Sequence, residues 1–195
     1  MFEPVRKSAT YADLEAAPPH LVAEILYGTL YTHPRPMPRH AGAANMIGYE
    51  LTGPFQRGRG GPGGWIFLVE PELHLGPHVT VPDLAGWRRE RMTSEPATAF
   101  IELVPDWVCE ILSPSTEATD RDHKMRIYAT NGLAHIWLLN PTTKVLETYA
   151  MRDGKWLLLE TFSGAVDVAA APFAAVPFSL AALFPFDEPT PDAAG

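Results

Sequence analysis

The stretch 106–116, "DWVCEILSPST", decides how the chain is read. Trp107, Val108, Cys109, Ile111 and Leu112 make a nearly continuous apolar run, the pattern of a strand covered on both faces and therefore central in a sheet. Glu110 stands in the middle of that run. An unpaired carboxylate in such a place is expensive, so Glu110 needs a partner. Two kinds are open: a cation that it ligates, or a structural partner such as a backbone cap or Arg126.

Working outward, "SPSTEATDRDHKMRIYATNG" supplies Ser113 and Ser115 as caps, then a helix closed by Asn131-Gly132. "AHIWLLNP" follows as a second buried strand. Upstream, "PRHAGAANMIGYELTGPF" has helical period, with Ala44, Ile47, Leu51 and Phe55 near one face. "GWIFLVEPELHLG" and "HVTVPDLAGWRRE" are two β-type runs split by Gly76-Pro77, which predicts a hairpin. Residues 38–140 thus read helix, strand, strand, strand, helix, strand. Around this core, Thr10 caps a short helix "YADLEAA", "AEILYGTLYTHP" makes a hairpin at Tyr27-Gly28, "VLETYAMRDGKWLLLETF" makes one at Asp153-Gly154, and "SLAALF" holds a last short helix. The prediction is one α/β (α+β) domain over residues 1–195, a mixed sheet flanked by helices with extra β-hairpins. The tail 186–195 lacks apolar period and reads as frayed.

Bulk composition narrows the function. The chain has 195 residues, 46% hydrophobic and 19% charged, with a net charge of -8. Acidity alone argues against a nucleic-acid binder. Its distribution softens that: residues 35–126 hold ten Lys/Arg against twelve Asp/Glu, and the flanks five against eleven. The basic clusters "PRPMPRH", "RGRG" and "WRRER" lie in the near-neutral middle. Cys109 is the one cysteine, so neither an internal disulfide nor a cysteine-based zinc cluster can form. No run of apolar residues is long enough to span a membrane, and no signal-type h-region opens the chain; a cytoplasmic location is expected. "RGRGGPGG" is not a phosphate-cradling loop, because it lacks the terminal Gly-Lys-Ser/Thr.

Strand parity places the chemistry. Val81, Asp83, Ala85 and Trp87 share one face of their run, and Val108, Glu110 and Leu112 share one face of theirs. If the strands are neighbours, the two acids converge, and such a pair repels unless a cation lies between them. Two oxygen ligands with waters completing the shell suit Mg²⁺ or Mn²⁺. Lys124 lies on the following helix, on one stripe with Asp120 and Tyr128. There it could stabilise charge on a phosphorane or position a water. Competing readings remain for each: Asp83 as a turn cap after Pro82, Lys124 as a surface lysine, "WRRER" as an exposed strand end. His74 and His78 are read as turn residues, and Cys109 as a core side chain on the face opposite Glu110.

The blocks "VPDLAGWRRER", "PDWVCEILSPST", "DRDHKMRIYA", "HIWLLNP", "AEILYGTLYTHPRPMPRH" and "PFSLAALF" resemble those of the Uma-type (Uma-two) restriction endonuclease family, a branch of the PD-(D/E)XK nuclease superfamily. The resemblance covers roughly residues 10–185. It implies a restriction-endonuclease-like core and an Mg²⁺-dependent (or Mn²⁺-dependent) endonuclease acting on DNA, with Asp83 and Glu110 as metal ligands and Lys124 as the catalytic lysine. Glu72 and His40 fall on family-like positions and are accessory candidates. Two departures stand out. The superfamily's lysine two residues after the glutamate is here Leu112, its place taken by Lys124, and Asn140 stands where the family usually has Asp. Many nucleases that cut both strands act as dimers, a fold-level analogy that leaves a homodimer open without fixing the oligomeric state. The reading from a different class is a catalytically silent nuclease-fold module that binds protein or nucleic acid; a third is a phosphodiesterase for another nucleotide substrate.

Overall fold

The computed structural model describes residues 8–187; of the expected frayed tail, residues 188–195 lie outside the described residues. Thr10 caps α1 (Tyr11–Glu15) in a reciprocal box with Asp13. β1 (Leu21–Leu26) and β2 (Thr29–Pro34) form the hairpin at Tyr27-Gly28, both residues at positive φ. α2 (Pro38–Leu51) starts with proline at its first position and runs into a π-helical turn at Thr52–Gln56. Its buried side chains are Ala43, Ile47 and Leu51, with Phe55 beyond, so the inward stripe begins at Ala43, and Ala44 is only partly buried.

The two long β-runs do not form one simple hairpin. The first breaks at Glu70-Pro71 into β3 (Trp65–Val69) and β4 (Glu72–Leu75), and the second at Val81-Pro82 into β5 (His78–Thr80) and β6 (Leu84–Arg88). The reason is local. Pro71 and Pro82 have no N–H to give a ladder, and Glu70 sits at φ 46°. The distal halves, β4 and β5, pair with each other and join a sheet ordered β2-β1-β5-β4-β7, where β7 is Phe100–Ile101. The proximal halves, β3 and β6, remain in the main sheet.

That main sheet is ordered β11-β10-β9-β8-β6-β3, with β8 Trp107–Ile111, β9 His135–Asn140, β10 Val145–Arg152 and β11 Lys155–Ser163. β8 pairs antiparallel with β6 and parallel with β9, so the "WVCEI" strand is central as its apolar run predicts. Between β8 and β9 run α3 (Glu117–Thr119), a π-helical turn Asp120–Lys124 and α4 (Met125–Thr130), closed by Gly132 at φ 77°. Ser113 and Ser115 bond to each other, and Ser113 to Thr116, rather than capping this helix through a side chain. β12 (Asp167–Val168), β13 (Phe178–Ser179) and a 3₁₀ turn at Leu180–Leu183 complete the described fold.

The core has two layers, one on each face of the main sheet. On one side Trp107, Cys109 and Ile111 meet α2, Trp65, Trp137 and Phe173. On the other, Val108 and Leu112 meet Ala85, Trp87, Ile127, Tyr128 and the leucines of the smaller sheet. Each fully buried aliphatic or aromatic side chain is worth about 1.5–3 kcal/mol, enough in sum to hold a few charged groups in the second layer. Glu110 points into that layer.

Candidate active site

β6 and β8 pair with Leu84 opposite Cys109. Extending the register by one residue sets Asp83 opposite Glu110, at the point where Pro82 ends the strand. The Asp83 carbonyl accepts a 3.0 Å bond from the Glu70 N–H at the end of the β3–β6 ladder, and its side-chain Oδ2 accepts a 2.6 Å hydrogen bond from the Ile111 N–H of β8. Its Oδ1 lies 3.3 Å from His40 Nε2, on the first turn of α2. Burial works against charging His40, but the bond to the Asp83 carboxylate prevails and its pKa is raised. The other ring nitrogen, Nδ1, is buried without a hydrogen-bond partner among the described residues.

Glu110 is fully buried. Its Oε2 accepts a 3.2 Å bond from Lys124 Nζ, and its Oε1 a 2.6 Å bond from the Tyr128 hydroxyl. The stripe Asp120, Lys124, Tyr128 thus faces inward. Lys124 is 3.2 Å from Glu24 and 3.1 Å from Asp120 as well, so one ammonium serves three buried carboxylates. Burial disfavours the Lys124 charge, yet the carboxylates hold its pKa well above the usual lysine range. Burial pushes the Glu110 carboxyl well up, aided by the charges of Asp120, Asp83 and Glu24 and opposed by Lys124. Glu24 also meets burial, but Lys124, His33 and the Val81 N–H bring its pKa down. The structural alternative for Glu110 is corrected in one respect: Arg126 pairs with Asp122 on the surface, away from it.

Asp83, Glu110, Lys124 and His40 line one cavity of about 350 Å³, together with Asp120, His33, Arg35, Arg39 and Leu112. The structure therefore brings together Asp83, Glu110, Lys124 and His40. It does not bring Glu72 there: that carboxylate accepts from the Tyr11 hydroxyl and lies 2.8 Å from His74 Nε2, on the smaller sheet. His78 accepts from the Tyr27 N–H, and Asn140 accepts from the N–H groups of Thr142 and Thr143, a turn role that an aspartate fills equally well. Of the "WRRER" arginines, Arg88 lies over Trp65 and Arg91 pairs with Asp106. Sequence reasoning missed Glu24 and His33, which lie 3.7 Å apart. Glu24 carries the same signal as Glu110, a lone acid inside an apolar strand.

A divalent cation can be tested against this donor set. Among the described residues, no three His, Cys, Asp or Glu side chains converge as a ready-made metal cage. Asp83 and Glu110 do face one cavity, with Asp120 beside them, and the buried acids outnumber the single ammonium among them. That suits a hard ion that keeps most of its waters, as Mg²⁺ does.

No described helix is long and apolar enough to cross a membrane. A crystal structure from Anabaena variabilis, of a "putative nuclease belonging to DUF820", superposes with a TM-score of 0.69 over 90% of this chain and 97% of that one at 22% identity, which establishes a common fold. An uncharacterized protein of Synechocystis, slr1290, is 46% identical over 65 residues, 32% of this chain and 34% of that relative. The family model Uma2, "Putative restriction endonuclease", matches residues 8–182. With that match across nearly all of the described fold, the chain belongs to the Uma2 family.

Proposed function

We propose that the protein is a metal-dependent endonuclease that hydrolyses DNA phosphodiester bonds. The observation that carries this reading is the buried Lys124 ammonium, 3.2 Å from Glu110 and in one cavity with Asp83. Asp83 and Glu110 would hold Mg²⁺ or Mn²⁺. Such an ion, when bound, polarises a phosphate and lowers the pKa of a coordinated water. Lys124, fixed by Glu24 and Asp120, presents positive charge where the phosphorane develops negative charge. Tyr128 holds Glu110 in orientation, and His40 does the same for Asp83. Membership of the Uma2 family and the fold shared with the Anabaena protein support the reading.

A silent module that binds without cutting is the second reading. It is favoured by one observation, the saturation of Lys124 by three ion pairs. A cleavage assay on plasmid and single-stranded DNA with Mg²⁺, Mn²⁺ or EDTA separates the two. Wild type should cut with metal only. Asp83→Ala and Glu110→Ala should each lower cutting by about 10²-fold or more, as removal of one preorganised group does. Absence of cutting, with melting temperatures unmoved by metal, would establish the silent module instead.

A further inference from the structure

The cavity has a charged floor and an apolar collar. On the floor Glu110, Asp120 and Lys124 are 1%, 2% and 3% exposed. Around the mouth stand Pro34, Pro36, Met37 and Pro114, with the buried Pro141 further in. Met37 is 75% exposed, a large apolar side chain left in water beside the opening. We propose that this cavity admits one unpaired nucleotide of single-stranded DNA, with its base against the collar and its phosphate toward the floor. The assignment rests on the nuclease reading and specifies its substrate.

Depth is the first argument. In a duplex the bases are stacked inside and the backbone is held in a regular rail. A phosphate and its base enter a narrow cavity together only if the nucleotide leaves the stack, and the cost is least where the base is already unpaired. The second argument is the chemistry of the collar. Prolines and a methionine offer no donors to a phosphate rail, but they match the apolar face that every base carries, whatever its identity. The third is charge. Single-strand binders also use Lys and Arg, but a duplex carries more charge per unit length, one negative charge per about 1.7 Å, so a chain of net charge -8 opposes a duplex more. At the mouth, Arg35 and Arg39 are paired with Glu70 and Asp187. Size agrees: about 350 Å³ lies near the bottom of the range for small-molecule sites, roughly 300–1,000 Å³.

The test is fluorescence anisotropy of a short oligothymidylate and of a hairpin duplex of equal length, with Ca²⁺ in place of Mg²⁺. The single strand should bind roughly tenfold or more tightly than the duplex, the ratio set by the cost of unpairing. Met37→Ser keeps a residue suited to the start of α2 and should weaken single-strand binding by about threefold or more, as loss of one base contact does. Tyr49→Ser, on an exposed part of α2 away from the cavity, should leave it unchanged. Equal binding of both DNAs, tighter duplex binding, no binding of either, or wild-type affinity in Met37→Ser overturns the assignment. The two readings fail separately. A single strand that is bound preferentially but never cut with Mg²⁺ or Mn²⁺ ends the nuclease reading alone. A duplex cut as fast as a single strand ends this one alone.

Discussion

Lys124 keeps its charge where burial alone would remove it, because Glu24, Glu110 and Asp120 surround it at 3.1–3.2 Å. Lys124→Met would leave three buried carboxylates without a cation. Breaking a buried ionic group from one side costs about 3–5 kcal/mol, so urea unfolding at neutral pH should show a loss of that order. His33 gives a pH-dependent counterpart. The Glu24 carboxylate 3.7 Å away raises its pKa in the folded state, against the opposing effect of burial. A raised folded pKa means that the pair stabilises fully below the unfolded value of about 6.5, and that this is lost as pH rises through the folded value. The melting-temperature gap between wild type and His33→Gln should therefore be widest in mild acid and close in alkali. Glu110 and Asp83 are legible in the sequence because each breaks an apolar run next to recognisable blocks. Glu24 breaks one too, in "AEIL". Its role cannot be read there, since its partners Lys124 and Val81 lie on elements that only the fold brings near.

At the scale of elements, periodicity locates most helices and strands, and it places β8 at the centre of its sheet. It fails at the long β-runs. An alternating pattern continues through Pro71 and Pro82, so side-chain order suggests one hairpin while the missing N–H groups divide it between two sheets. The division positions the site: β6 begins only at Leu84, and just before it the Asp83 side chain reaches the Ile111 N–H of β8. β6 is also intolerant of bulk. A Cβ on Gly86 would lie 2.9 Å from a ring carbon of Phe67 and 3.2 Å from Trp107. Gly86→Ala should therefore destabilise by about 1–3 kcal/mol, the usual cost of overpacking, measurable as a lowered denaturation midpoint with an unchanged slope. Ala43→Gly or similar changes on α2 do not test this, because they do not load the β6–β8 ladder.

For the whole molecule, the acids and their lysine come from three places: Glu24 from the smaller sheet, Asp83 and Glu110 from the main sheet, and Lys124 from the helix that joins β8 to β9. The site lies in the layer between the sheets, so its geometry depends on both. The far end of the main sheet behaves differently. β11 is an edge strand with Leu157, Leu158 and Leu159 at 52%, 47% and 37% exposed, and the register irregularity at Thr148/Tyr149 interrupts its pairing with β10. A long apolar edge is a template for strands of other chains, and a bulge only partly blunts it. In concentrated solution this edge is expected to be the first surface to associate. Leu158→Lys should raise the concentration at which light scattering begins, with folding stability changed by no more than about 0.5 kcal/mol. Scattering that starts at the wild-type concentration would place the sticky surface elsewhere. The strand expected to limit how concentrated the protein can be kept thus lies at the opposite end of the main sheet from Asp83 and β6.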